Sequence, residues 1–122
     1  MNRLVIIGNV TRDPELRTTT SGRSVCTFSI AVNRRKKANE PAEADFFRVS
    51  AWDALGENCA KYLQKGKKVG VVGSVSVHPF VNSKNEASAS MEVSASEVEF
   101  LSPRDDIDKQ SGFQKVDEEF PV

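Results

Sequence analysis

Apolar and polar residues alternate along most of the chain. Cys26, Phe28, Ile30 and Val32 share one parity, and Thr27, Ser29, Ala31 and Asn33 the other. That is the period-two signature of a half-buried strand. Residues 45–53 repeat it: Phe47, Val49 and Ala51 occupy odd positions, Phe46, Arg48, Ser50 and Trp52 even ones. Val69, Val71, Val75 and Val77 mark a further strand, and Met91, Val93 and Ala95 another. Val98 and Phe100 fall on the opposite parity, which places a bulge or bend near Ser96-Glu97. At the start, residues 4–7 form a short apolar run closed by Gly8-Asn9, the pattern of a strand buried on both faces. One segment has helical period. In residues 54–64, Leu55, Cys59, Tyr62 and Leu63 recur at i, i+4, i+7 and i+8, with Asp53 placed to N-cap and Gly66 to close the C-terminus.

Turn signals separate these segments: Asp13-Pro14, the Thr/Ser/Gly cluster at 18–22, the polar stretch 34–44 with Pro41, and Asn82-Ser83-Lys84-Asn85. The order β-β-β-α-β-β predicts an all-β fold. It is a five-stranded closed barrel of the oligonucleotide/oligosaccharide-binding (OB) type, with one helix between strands 3 and 4. Gly73 in mid-strand predicts a bend or a close backbone approach.

Composition agrees. Val and Ile together number 19 against five Leu, and β-branched side chains favour strands. At 122 residues, 39% apolar and 28% charged, the chain is sized for one soluble domain. No apolar run approaches the ~18 residues of a membrane span, and the start lacks the pattern of a signal peptide. The expected location is the cytoplasm. Cys26 falls on an apolar strand face and Cys59 on the helix stripe, so both read as core. With His78 the only histidine, neither a metal site nor a cofactor is expected. There is no glycine-rich phosphate loop, no Gly-x-Ser-x-Gly and no paired His. Asp45 and Asp53 share a parity but stand roughly 26 Å apart along a strand, too far to act as a catalytic pair. An enzyme is therefore not expected.

Net charge is zero, but unevenly distributed. Residues 1–85 carry 14 basic and 7 acidic side chains, and residues 86–122 carry 3 and 10. The polar, acidic segment 103–122 has no hydrophobic period and reads as a disordered tail behind a domain at 1–102. Its end, Asp117-Glu118-Glu119-Phe120-Pro121-Val122, is either a docking peptide with an apolar tip or a solubilising end.

The even face of residues 45–53 interleaves Phe46 and Trp52 with Arg48. Phe80 also lies on the parity opposite the valine face. Aromatic faces stack bases, and cations between them pair with phosphates. Arg34-Arg35-Lys36-Lys37 is a basic run at a loop base, readable as a phosphate clamp. The alternatives are core or oligomer-interface aromatics and a solvated basic turn.

Several segments, in order, resemble bacterial single-stranded DNA-binding proteins. They are Met1-Asn2-Arg3-Leu4-Val5-Ile6-Ile7-Gly8-Asn9, Asp13-Pro14-Glu15-Leu16-Arg17, Ala31-Val32-Asn33-Arg34, Ala44-Asp45-Phe46-Phe47-Arg48-Val49, Trp52, Tyr62-Leu63-Gln64-Lys65-Gly66 and Glu92-Val93. The resemblance runs over about residues 1–102. It implies an OB barrel, usually in four copies, that binds single-stranded DNA without sequence preference and without catalysis. The setting is replication, recombination and repair at the nucleoid. It assigns base stacking to Phe46, Trp52 and Phe80; beside them, the basic residues Arg3, Arg34, Arg35, Lys36, Lys37, Arg48 and Lys84 are expected to hold phosphates. A further aromatic common in the family's loop after the second strand has no counterpart; Lys36 stands nearby. Where the family has a basic run before the third aromatic, this chain has Ser76-Val77-His78-Pro79. The family's acidic tip, of the Asp-Asp-Asp-Ile-Pro-Phe kind, docks replication and repair enzymes. That role falls here on Glu118, Glu119, Phe120, Pro121 and Val122, in a tail short for the family, as in a phage or mobile-element version. The alternative within the same fold is a protein-interaction module, a mediator of replication restart or recombination with weak DNA binding.

Overall fold

Strands form where the alternation runs longest. The computed structural model describes residues 1–35 and 38–102, so the expectations for Lys36, Lys37 and the tail at 103–122 lie outside the described residues. The elements are β1 (Leu4–Val10), β2 (Glu15–Thr18), β3 (Ser24–Asn33), β4 (Ala44–Trp52), α1 (Asp53–Tyr62), β5 (Lys68–Val81) and β6 (Ala87–Phe100). The sheet runs β1-β5-β6-β4-β3-β2, and a β1–β3 pairing closes it. Five strands thus form the ring, with α1 between its third and fourth members, as the order of elements predicts. Neighbours are antiparallel except β4 and β6, which run parallel from Phe47↔Met91 to Ser50↔Ser94.

Inward parity builds the core. Ile6, Val10, Cys26, Phe28, Ile30, Val49, Ala51, Val69, Val71 and Val93 fill the barrel, joined by Cys59 of α1 and by Leu63. Each large apolar side chain removed from water contributes about 1.5–3 kcal/mol. Both thiols are free and buried. Burial pushes the Cys59 thiol up to about 12, with Cys26 adding to the rise, so neither supplies a thiolate nucleophile near neutral pH.

The parity change in β6 is a bulge. Val72 pairs with Glu97 and Gly73 with Ala95, which leaves Ser96 over; its hydroxyl donates to the Val72 carbonyl at 3.1 Å. Gly73 is required there because a Cβ would run into the Ser94 carbonyl.

Four expectations need correction. β2 lies where the sequence reading placed no strand, between the Asp13-Pro14 turn and the 18–22 cluster, and pairs Glu15↔Thr27 to Thr18↔Ser24. All four of its residues are exposed, so backbone hydrogen bonds alone define it and no hydrophobic period announces it. β1 is buried on one face only: Val5 is 64% and Ile7 53% exposed. They pair with Val72 and Gly70 on the outer wall, where no element of the described chain covers them. Asp53 is not the N-cap of α1. Trp52 holds that position without a side-chain hydrogen bond, and the Asp53 carboxylate turns to Arg23 instead. Finally, the helix closes at Leu63, whose N–H bonds the Cys59 carbonyl at 2.9 Å. Gly66 comes later, at φ 90, in a turn where its N–H meets the Val10 carbonyl at 2.8 Å.

Among the described residues no helix is long and apolar enough to cross a membrane. No group of His, Cys, Asp and Glu among them could hold a metal ion.

Candidate nucleic-acid interface

The even positions of β4 point away from the core because its odd positions point into it. Phe46 pairs with Ala31 and Arg48 with Ser29 on β3. On the other side Arg48 pairs with Glu92 and Ser50 with Ser94. The same outer wall continues onto β5 through Glu92↔Ser76, Ser90↔His78 and Ser88↔Phe80. The result is one face with few large side chains. Phe46, Arg48, Trp52, His78, Phe80 and Glu92 rise from a floor of serine and alanine, which leaves room for a chain to lie between the rings.

The rings differ in access. Phe46 is 64% and Phe80 48% exposed, whereas Trp52 is half-buried. Phe46 and Phe80 sit two strands apart with a stagger along β6, about 12 Å between backbones at normal strand spacing. Trp52 lies six residues along β4 from Phe46, about 20 Å away.

Trp52 also carries a partner that periodicity does not reveal. The Arg23 guanidinium stands over its ring, 4.6 Å from the centroid. Arg23 Nε and Nη2 donate to Asp53 Oδ1 and Oδ2 at 3.3 and 2.9 Å. This bond to Arg23 holds the Asp53 carboxyl below its ordinary range. Arg23 follows a loop glycine and shows no pattern in the sequence. Only the pairing of early β3 with the end of β4, Val25↔Trp52, brings it to the indole.

The predicted cations divide. Arg48 stands on the aromatic face with no side-chain ion pair among the described residues. Lys84 sits in the β5–β6 turn beyond Phe80, where the Asn82 side chain accepts its backbone N–H at 2.9 Å. Arg35 is exposed just after β3. Arg34 is engaged within the protein: Nη1 lies 2.9 Å from Glu43 Oε2 and Nε donates to Asp45 Oδ1 at 2.8 Å. With its backbone N–H on the Glu43 carbonyl at 2.9 Å, it braces the loop base. Arg3 pairs with Glu97 at 3.4 Å, beside Val5 rather than among the rings. His78 Nε2 lies 3.2 Å from the Ser76 hydroxyl and 3.7 Å from Glu92 Oε1, so the single histidine and an acid share the floor between Phe80 and Arg48.

This geometry has relatives. Residues 1–101 match the single-strand binding protein family. The chain is 40% identical over 111 residues to Single-stranded DNA-binding protein 1 of Staphylococcus aureus, a match covering 90% of this chain and 71% of the relative. It is 41% identical over 105 residues to the Single-stranded DNA-binding protein of Halalkalibacterium halodurans, covering 85% and 62%. Against Single-stranded DNA-binding protein A of Bacillus subtilis it is 39% identical over 105 residues, covering 85% and 61%. These relatives are named for binding, not for catalysis. With a match that spans the whole barrel and an outer wall that presents aromatic rings, the chain belongs to the single-strand binding protein family.

Proposed function

We propose that this protein binds single-stranded DNA without sequence preference and shields it during replication, recombination and repair in the cytoplasm. The observation that carries the reading is the outer wall of β4, β6 and β5, where Phe46 and Phe80 stand exposed on a floor of small residues beside the exposed Arg48. An unpaired base has two π-faces that a flat ring can cover, whatever its identity, and the phosphates between bases need only cations. Arg35, Arg48 and Lys84 are placed to supply them, with Lys36 and Lys37 adjacent in sequence.

Poly(dT) titrated against the full chain tests this. Affinity falls with salt by about 0.7 log units per log unit for each phosphate contact, and single strands outcompete duplex because only unpaired bases expose their faces. Equal affinity for duplex of the same length would reduce the site to a basic patch.

Two further parts complete the proposal. The Val5 and Ile7 face is covered by other copies of the chain, four in all, since a contiguous exposed apolar patch is the mark of an interaction surface. The acidic end, with Glu118 and Glu119 ahead of Phe120, Pro121 and Val122, docks replication and repair proteins. Phe120 enters an apolar pocket, the acids meet a basic rim, and Pro121 lowers the ordering cost. Deleting residues 117–122 leaves DNA binding intact or tighter at low salt and abolishes capture of host helicase, nuclease or primase. A truncated chain that keeps those partners would make the tip a solubilising end.

A further inference from the structure

Trp52 does not offer itself to a base as Phe46 and Phe80 do. Its register partner Val25 belongs to the outer wall by parity, yet is only 7% exposed. Cβ atoms of register partners lie about 5 Å apart; Val25 is flanked by Arg17 on β2 and Trp52 on β4, and the indole is the apolar one of the two. Arg23 also stands over the ring, at 4.6 Å from its centroid, and two hydrogen bonds tie it to Asp53. Asp53 is itself held unusually. Its φ of 56 lies in the left-handed region that residues other than Gly seldom adopt. Because Asp53 does not cap α1, its carboxylate is free to face β3 and anchor the guanidinium.

We infer that Arg23 and Asp53 form a latch that closes over Trp52 in the DNA-free protein and that a base must displace to stack there. The inference rests on the single-stranded DNA reading above. It divides the three aromatics into two open platforms, Phe46 and Phe80, and one gated platform, Trp52. Exposed ion pairs and exposed cation–ring contacts are weaker than a base stacked on an indole. The latch therefore opens under DNA rather than excluding it, and lowers affinity by a modest factor. As the pair carries one charge of each sign, removing both members leaves the net charge unchanged and isolates the latch from the general pull of the basic face.

The test is the Arg23→Ala/Asp53→Asn double variant. Asn adopts the left-handed region at least as readily as Asp, so α1 keeps its start, and a thermal melt checks the fold. Trp52 is the only tryptophan, so its fluorescence reports this position alone. Without DNA, quenching of Trp52 by neutral acrylamide is expected to rise in the double variant. With poly(dT), affinity is expected to rise about three- to fivefold, and the gain to vanish when Trp52→Ala is added. Affinity that falls in the double variant, with a salt slope shallower by about 0.7, would make Arg23 a phosphate contact and overturn the latch. Unchanged quenching together with unchanged affinity would overturn it as well. If the wild-type chain bound no poly(dT), the function reading would fall and the gating of DNA with it. Acrylamide would still report separately whether the pair covers the ring.

Discussion

Phe46→Ala combined with Phe80→Ala is expected to cost the protein most of its hold on single-stranded DNA. Each stacked base contributes about 1–3 kcal/mol by alanine substitution. Their backbones are about 12 Å apart on separate strands, far enough for the losses to add. The double variant should bind poly(dT) about 30-fold to 10⁴-fold more weakly. Both rings are exposed, and truncating exposed side chains outside packed or capped positions moves stability by about 0.5 kcal/mol or less. The melting temperature should therefore stay near wild type. The salt slope should also hold, because the cations are untouched. A fluorescence titration using Trp52, with a parallel melt, separates the outcomes. Near-normal binding would remove DNA stacking from this face, and a collapsed melt would return the rings to a structural role.

Ile7→Glu is expected to change the mass of the particle. Ile7 pairs with Gly70 and Val5 with Val72, so β1 and β5 present apolar side chains outward with no glycine Cβ to interrupt close approach. Glu97 and Glu99 on β6 stand in register with Val72 and Gly70 beside the patch, and Glu97 already engages Arg3. A carboxylate at position 7 would add an unpaired charge in the middle of the apolar patch, and contact with another copy would bury it. Burying unpaired charge is among the costliest single changes an interface can suffer. Light scattering should show the wild type as a multiple of 13.4 kDa and the variant at 13.4 kDa. Intrinsic contacts of each barrel with a short oligonucleotide should persist. Affinity for long poly(dT) should drop by about 10²–10⁴, because linked sites bind at high effective concentration and separated ones do not. A wild-type chain already at 13.4 kDa would refute the assembly.

Local pattern was enough to read much of this protein. The period-two runs at Cys26 to Val32 and at Phe47 to Ala51 assigned inside and outside correctly, because side-chain direction alternates in a strand whatever its neighbours. That alternation also placed Phe46, Arg48 and Trp52 together on the wall opposite the core. The parity shift between Ala95 and Val98 marked the bulge, and Gly73 the close approach beside it.

Other features have no local signature. β2 is four exposed residues defined by hydrogen bonds to β3. Parallel pairing of β4 with β6 depends on barrel closure. Arg34 sits in the most basic run of the chain, yet Glu43 and Asp45 engage it, which proximity decides and charge counting does not. The apolar run at β1 showed that its residues avoid water, but not which element covers them. Sequence by itself determined the faces of β3 and β4, the place of the helix and the composition of the aromatic wall, since these follow from backbone periodicity. Only the tertiary structure decided that Arg23 and Asp53 meet over Trp52 and that Val5 and Ile7 stay uncovered. Those outcomes depend on which distant residues barrel closure brings within a few ångströms, and no period along one strand encodes that.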